Sequence, residues 1–293
     1  MKVSKSHSHI PKRVVILGAE GTIGFALARV LRALQIPILA LSRKEIDLTG
    51  DEASKHLSAL FQINDVVIVF AVQKPGNNMD TEAFINNLKI ANNVCLALRT
   101  VKDVRVIYFS SDAVYSFESE MISEQTLAAP ETLYGSMHLS REIQFRNAIE
   151  EDLLMIIRST QVYGSMKENA PYGPDRMYLS AIQEGKIELF GKGEELRDFI
   201  HIQDVVQLIV LLIQQKCSGI INFATGISIS YADLSNIISS SLDTKIEITL
   251  LTRKTKIKHR HFNIDKISDQ FPNFKFIRLE ESIRNLQRER LVS

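Results

Sequence analysis

Three side chains in this sequence are placed to move a proton. Tyr134 and His138 stand four residues apart where a helical pattern opens, so they share one helix face. A tyrosine hydroxyl is a weak acid, with a pKa of about 10. To serve as general acid or base near neutrality it needs a hydrogen-bond partner and a nearby cation. The third is Ser111. The apolar run Val106-Ile107-Tyr108-Phe109 ends in Ser110-Ser111-Asp112, and open α/β sheets bind ligands at the C-terminal ends of their strands.

These groups need a scaffold, and the N-terminus announces one. The apolar run Val14–Leu17 is followed by Gly18, Gly21 and Gly24, then by a helical pattern that takes in Thr22 and Ile23. A strand feeding a helix through such a turn offers backbone N–H groups and a helix N-terminus to a pyrophosphate. Gly18 permits the turn, Gly21 the approach of phosphate, and Gly24 close packing of helix on strand. The bland alternative is a tight strand–helix turn with no ligand. Further strands are predicted at Ile38–Leu41, Val66–Phe70, Arg105–Ser110 and Leu154–Arg158. Helical patterns at Ile23–Leu34, Ala53–Leu60, Thr81–Arg99 and Tyr134–Glu150 alternate with them. Continuous apolar strands alternating with helices imply a doubly wound parallel Rossmann sheet, an α/β fold.

After residue 162 glycine and proline break the pattern, and a smaller C-terminal α/β substrate-binding domain is expected. The expected division is a flexible tail over 1–11, the dinucleotide-binding domain over 12–162 with 201–225 returning to it, and the substrate domain over 163–293, with a cleft between the two domains. In the second part we expect helices at Arg176–Glu184, Asp204–Gln214, Ala232–Leu242 and after Arg278, and strands at Ile187–Phe190, Gly219–Ala224 and Ile246–Leu251. With 45% hydrophobic residues, 24% charged and a net charge of +1, nothing points to nucleic acid or to an anionic membrane. The basic run Arg253–His261 is the exception, either a solvated face or an anion site for a phosphorylated ligand. Cys95 and Cys217 read as reduced, buried thiols. The polar N-terminus lacks a signal-peptide core, no apolar run reaches the roughly 18 residues of a membrane span, and the histidines lack metal-ligand spacing. A cytoplasmic protein without a metal is expected.

The second strand ends Ser42-Arg43-Lys44. An acid there would bond a ribose 2′-hydroxyl, whereas a hydroxyl and two cations favour a 2′-phosphate, hence NADP(H) over NAD(H). A solvated turn fits the same residues. Asp47 and Leu48 are candidates to line the adenine.

Taken together the chain resembles an extended short-chain dehydrogenase/reductase of the nucleotide-sugar epimerase, dehydratase and ketoreductase branch. The resemblance runs over nearly the whole chain: Gly18/Gly21/Gly24, the strand Asp65–Ala71, Ser110-Ser111-x-x-Val114-Tyr115, Arg158–Gly164 and, most specifically, Gly191–Val206. It implies Phe70, Ala71 and Lys74 at the cofactor and Ser111 as partner of the substrate hydroxyl. It implies Asp112, Gln161, Arg197 and Arg260 at the substrate, with Arg197 on the nucleotide diphosphate. It also implies a homodimer through the helices at Thr81–Arg99 and Tyr134–Glu150, whose faces equally fit packing on the sheet.

Two departures carry weight. The family pattern is Tyr-x-x-x-Lys, whose lysine bonds the nicotinamide ribose and lowers the tyrosine pKa. Here His138 takes the lysine position. An imidazole can still bond the ribose, but with a pKa of about 6.5 it is mostly neutral at pH 7. A slower enzyme, or one whose rate falls as His138 deprotonates, is expected. Sugar 4,6-dehydratases follow the Ser/Thr motif with Asp-Glu, whereas Ala113 follows Asp112 here, which argues against dehydration. The resemblance therefore implies an NAD(P)(H)-dependent epimerase or 4-ketoreductase acting by hydride transfer on a nucleotide-activated sugar. A non-catalytic dinucleotide sensor of the same fold is the alternative.

Overall fold

A computed structural model describes residues 10–73, 80–165, 173–242 and 245–292. The expected tail over 1–11 lies outside them up to residue 9, as do Lys74 and most of the loop after Gly164. In chain order the first elements are β1 (Val14–Leu17), α1 (Thr22–Ala33), β2 (Ile38–Leu41), α2 (Ala53–Leu60), β3 (Val66–Val69), α3 (Thr81–Leu98) and β4 (Arg105–Ser111). They continue as β5 (Met121–Ile122), α4 (Leu133–Ala148), β6 (Leu154–Ser159), β7 (Gln161–Tyr163), α5 (Gly173–Glu184), β8 (Lys186–Phe190) and β9 (Leu196–His201). The last are α6 (Ile202–Gln214), β10 (Gly219–Phe223), β11 (Ser228–Ser230), α7 (Tyr231–Ser241), β12 (Glu247–Leu251), β13 (His261–Phe262), α8 (Asp265–Gln270) and α9 (Leu279–Val292).

Two compact units divide the chain. The first takes residues up to Ser116, Thr126–Ser159 and Val206–Asn222. The second takes Phe117–Gln125, Thr160–Val205 and the residues from Phe223 on. The first is built on one six-stranded sheet in the order β10-β6-β4-β3-β1-β2. β1 pairs in parallel with β2 and β3, β3 with β4, and β4 with β6. The chain steps outward from β1 to β2 and then crosses back to β3 on the other side. Strand order therefore reverses between β1 and β3, the kind of switch point where such sheets bind ligands. Every residue of β1, β3 and β6 is buried, as strands covered on both faces require. The core beneath joins Val15, Leu17, Val67, Val69, Val94, Val106, Tyr108 and Phe145. At the entry to the sheet Arg13 donates twice to the buried Asp65 carboxylate, at 3.0 and 2.6 Å. The fold is the α/β Rossmann sheet that the alternation of elements implies.

The second unit holds a three-stranded sheet, β11-β9-β7, and the pairs β12-β8 and β13-β5. Its core gathers Tyr163, Met177, Tyr178, Leu189, Phe199, Leu234, Ile238 and Ile283. Here the sequence pattern misses most. β5, β7, β11 and β13 are two or three residues long, too short for any period to register. β9 carries Asp198 at its centre, fully buried, where it accepts hydrogen bonds from the backbone N–H of Thr225 at 3.0 Å and Gly226 at 2.8 Å. A charge in a short run reads as loop unless its partners are known. No helix among the described residues is long and apolar enough to cross a membrane.

Candidate functional site

The glycine turn sits at the switch point. Gly18 follows β1 with φ +93°, a conformation that L side chains rarely adopt. A Cβ there would lie 2.8 Å from the backbone N of Ala71, just past β3. A Cβ on Gly24 would strike the carbonyl oxygen of Gly18. Phe70 and Ala71 thus border the turn directly. Gly21 precedes α1, and no side chain caps the helix that begins with Thr22 and Ile23 and has no acid in its first turn. A cradle of backbone and an open helix N-terminus with no acid in its first turn fit a dinucleotide pyrophosphate.

At the end of β2 the structure adds a residue that the sequence reading omitted. Glu45 accepts from the Ser42 backbone N–H at 2.7 Å and from the Ser42 hydroxyl at 2.6 Å. Those bonds hold its carboxyl below the usual range. Arg43 meets Asp47 at 3.3 Å and Lys44 meets Glu20 at 2.9 Å, all four groups being exposed. An acid therefore stands at this corner after all, three residues past the position where a strand-end reading looks for it. Leu48 is buried, and its carbonyl accepts from Asn93 at 2.9 Å.

The residues expected from sequence to handle protons lie on β4 and α4. Thr132 caps α4, its hydroxyl accepting from the Gly135 N–H at 3.1 Å. A Cβ at Gly135 would collide with the Ala113 carbonyl and lie 2.9 Å from Cβ of Pro130. Only glycine lets the first turn of α4 press onto the 3-10 turn Asp112–Val114 that follows β4. Ser111 caps that turn: its Oγ accepts from the Ala113 N–H at 3.2 Å and donates to Asp112 Oδ1 at 3.4 Å. Tyr134 is 38% exposed and lies edge-on to the buried His138 ring, with centroids 4.7 Å apart. His138 Nδ1 is 2.7 Å from the Tyr108 hydroxyl, and its Nε2 has no partner among the described residues.

Arg141, one helical turn on, is a buried cation. It donates to the Ala71 carbonyl at 2.9 Å and lies 4.9 Å over the Tyr108 ring. Burial, aided by Arg141, pushes the His138 pKa down to about 3. The expectation of a rate that falls as His138 deprotonates near neutrality is corrected accordingly, because this imidazole is already neutral at pH 7 and has no second proton to lose. Behind it Glu142, fully buried, is held by Arg158 at 3.0 and 2.7 Å and by Ser110 at 2.7 Å. Arg158 also stacks 4.9 Å over Tyr115, whose hydroxyl donates to Asn222 at 2.7 Å. This chain of contacts ties β4, α4, β6 and β10 into one wall. Tyr108, Gly135, Arg141, Glu142 and Arg158 were all missed from sequence. The signal was present: Tyr134, His138, Arg141, Glu142 and Phe145 fall on one helical stripe, and charges on a stripe that must be buried need partners.

The remaining candidates belong to the second unit. Gln161 lies on β7, and its Oε1 is buried without a partner among the described residues. Arg197 meets Glu195 at 2.8 Å and donates to the carbonyls of Leu196, at 2.9 Å, and Lys258. Arg260 is buried; its backbone N–H bonds Leu196 O at 3.1 Å, and its guanidinium lies 5.6 Å over Phe117. Arg197 and Arg260 therefore meet at Leu196. Lys74 lies outside the described residues. Among the described residues no group of three His, Cys, Asp or Glu side chains could hold a metal ion.

A family model described as the NAD dependent epimerase/dehydratase family matches residues 14–224. Solved structures share the fold. A UDP-N-acetylglucosamine 4-epimerase from Methanobrevibacter ruminantium M1, in complex with UDP-N-acetylmuramic acid, is 24% identical with a TM-score of 0.80, covering 97% of this chain and 99% of its own. MoeE5 in complex with UDP-glucose and NAD is 21% identical with a TM-score of 0.80, over 96% and 100%. A GDP-L-fucose synthetase from Naegleria fowleri bound to NADP is 17% identical with a TM-score of 0.80, over 100% and 97%.

Proposed function

The chain belongs to the NAD dependent epimerase/dehydratase family, and from that premise we propose that it transfers hydride on a nucleotide-activated sugar, as a C4 epimerase or a 4-ketoreductase. The observation that carries this reading is Tyr134, partly exposed and edge-on to a buried, neutral His138, on a helix turn pressed against the Ser111 turn. A bound nicotinamide dinucleotide supplies or accepts the hydride. Gly18, Gly21 and Gly24 hold its pyrophosphate with the N-terminal turn of α1. The Tyr134 hydroxyl exchanges the proton on the sugar oxygen, and Ser111 bonds and polarises that oxygen. His138 orients the nicotinamide ribose. Gln161, Arg197 and Arg260 contact the substrate nucleotide. The uncharged His138 leaves Tyr134 without the cation that the family lysine provides, so turnover is slow.

NADP(H) is favoured over NAD(H). Exposed ion pairs such as Arg43–Asp47 and Lys44–Glu20 are screened by water and contribute little, so both cations can turn to a 2′-phosphate at small cost. Glu45 works in the other direction. A cytoplasmic homodimer through α3 and α4 is part of the proposal, motivated by the exposed Ile85, Leu96 and Ile143 on those helices.

The test is to incubate the protein with nucleotide sugars and their 4-keto derivatives, following dinucleotide oxidation and product stereochemistry. An inverted C4 without net oxidation marks the epimerase; consumption of NADPH marks the reductase. Tyr134→Phe is expected to lower turnover by about 10²–10⁴-fold while dinucleotide binding persists. The neutral His138 also favours a second reading, a dinucleotide sensor without turnover, in which His138→Lys would gain no activity.

A further inference from the structure

The Tyr108–His138 contact assigns a proton. Tyr108 is fully buried on β4, and its hydroxyl has one hydrogen-bond partner among the described residues, His138 Nδ1 at 2.7 Å. A buried phenol keeps its proton, since burial raises its pKa. A phenolic O–H must donate, and the acceptor within reach is Nδ1. An imidazole nitrogen that accepts cannot carry a proton, so the proton of the neutral ring lies on Nε2. That Nε2–H is buried and has no protein acceptor among the described residues. Buried donors in folded proteins are nearly always paired, and an unpaired one beside a functional tyrosine calls for a ligand acceptor. Of the two aromatic rings against His138, Tyr108 is wholly buried and Tyr134 is exposed, so the approach from solvent is on the Tyr134 side.

We infer that Tyr108 is a positioning residue that fixes His138 as the Nε2–H tautomer, and that this N–H is the donor the site offers to a hydroxyl of the nicotinamide ribose. The donor half rests on the dinucleotide reading above; the tautomer half does not. The substitution of histidine for lysine thus keeps a directed hydrogen-bond donor and gives up its charge. Arg141, 4.9 Å over Tyr108, reinforces the arrangement because a second cation on His138 would face it.

The test is nitrogen-15 NMR of histidine-labelled protein at pH 7, wild type against Tyr108→Phe. His201, whose Nδ1 accepts from the Gln203 N–H at 3.3 Å, is the internal reference in the other unit. In the wild type His138 is expected as pure Nε2–H, with Tyr108→Phe shifting it to a mixture of tautomers and leaving His201 unchanged. A wild-type proton on Nδ1, or a tautomer unmoved by Tyr108→Phe, overturns the tautomer assignment. NADH and NADPH are then titrated in. The His138 Nε2–H resonance is expected to move on binding, and Tyr108→Phe to weaken binding by about 3–10-fold, the worth of one hydrogen bond. Binding with an unmoved Nε2–H overturns the donor role alone. If neither dinucleotide binds, the donor role and the functional reading fall together, while the tautomer result still decides the role of Tyr108. Should Tyr108→Phe fail to fold, the wild-type tautomer and its response to dinucleotide decide the question by themselves.

Discussion

The β4–α4 wall and the β2 corner use the same chemical parts, and solvent makes them behave differently. In the wall, Arg158, Glu142, Ser110, Tyr108, His138 and Arg141 are buried. At the corner, Arg43, Lys44, Asp47 and Glu20 meet in similar pairs but stand in water. Burial pushes His138 down to about 3. The exposed carboxyl of Glu45 is moved chiefly by its bonds to Ser42. Pairs in the wall are expensive to break and fix geometry. Pairs at the corner are cheap to exchange and leave the cations available to an incoming phosphate. On the proposed function, a fixed wall suits proton transfer and an exchangeable corner suits cofactor choice.

The comparison breaks most easily at Glu142. Glu142→Gln leaves the Arg158 charge buried and unpaired, and is expected to lower stability by about 3–5 kcal/mol, read by denaturant unfolding. A loss below 1 kcal/mol would mean that water reaches the wall.

Acid is the next lever. His138 is held at about 3 and His201 at about 4, both below the value of about 6.5 in the unfolded chain. The unfolded chain therefore binds protons first as pH falls. Stability from these two groups is complete above about pH 6.5 and declines from there, until about pH 4 for His201 and about pH 3 for His138. Asp204, held up at about 6 by burial, acts in the opposite sense, since its folded form takes the proton first. Two groups against one leave a net loss of about 2 kcal/mol between pH 6.5 and 4.5, and His138→Gln should reduce it.

The corner gives smaller effects. Replacing both Arg43 and Lys44 by Ala should lower NADPH affinity relative to NADH by about 10-fold, as loss of charge-assisted bonds to a 2′-phosphate predicts. Glu45→Ala should shift the ratio towards NADPH. Unfolding of Lys44→Ala should be indistinguishable from wild type, since its ion pair stands in water.

The two regions also differ in how far they could be read from sequence. The glycine turn and the parallel strands were legible because each declares itself within a few adjacent residues: Gly18, Gly21 and Gly24, then unbroken apolar runs. Tyr134 and His138 were legible as a pair for the same reason. Tyr108 was read as one more apolar strand residue, because its role depends on an imidazole thirty positions away. Arg158 ended an apolar strand, and its partner Glu142 lies on another element. Glu45 was missed because it reaches back to Ser42 around a turn, where spacing alone does not show direction. Local geometry is written locally; the partners of buried polar groups are set by the fold.

The most direct test of the central claim is to denature the purified protein, identify any released nucleotide by mass spectrometry, and titrate the stripped protein with NADPH and NADH. The account predicts a retained or tightly rebinding nicotinamide dinucleotide: stoichiometric NAD for an epimerase, exchangeable NADPH in preference to NADH for a reductase. Binding of neither would contradict it and leave the glycine turn as a structural turn without a ligand.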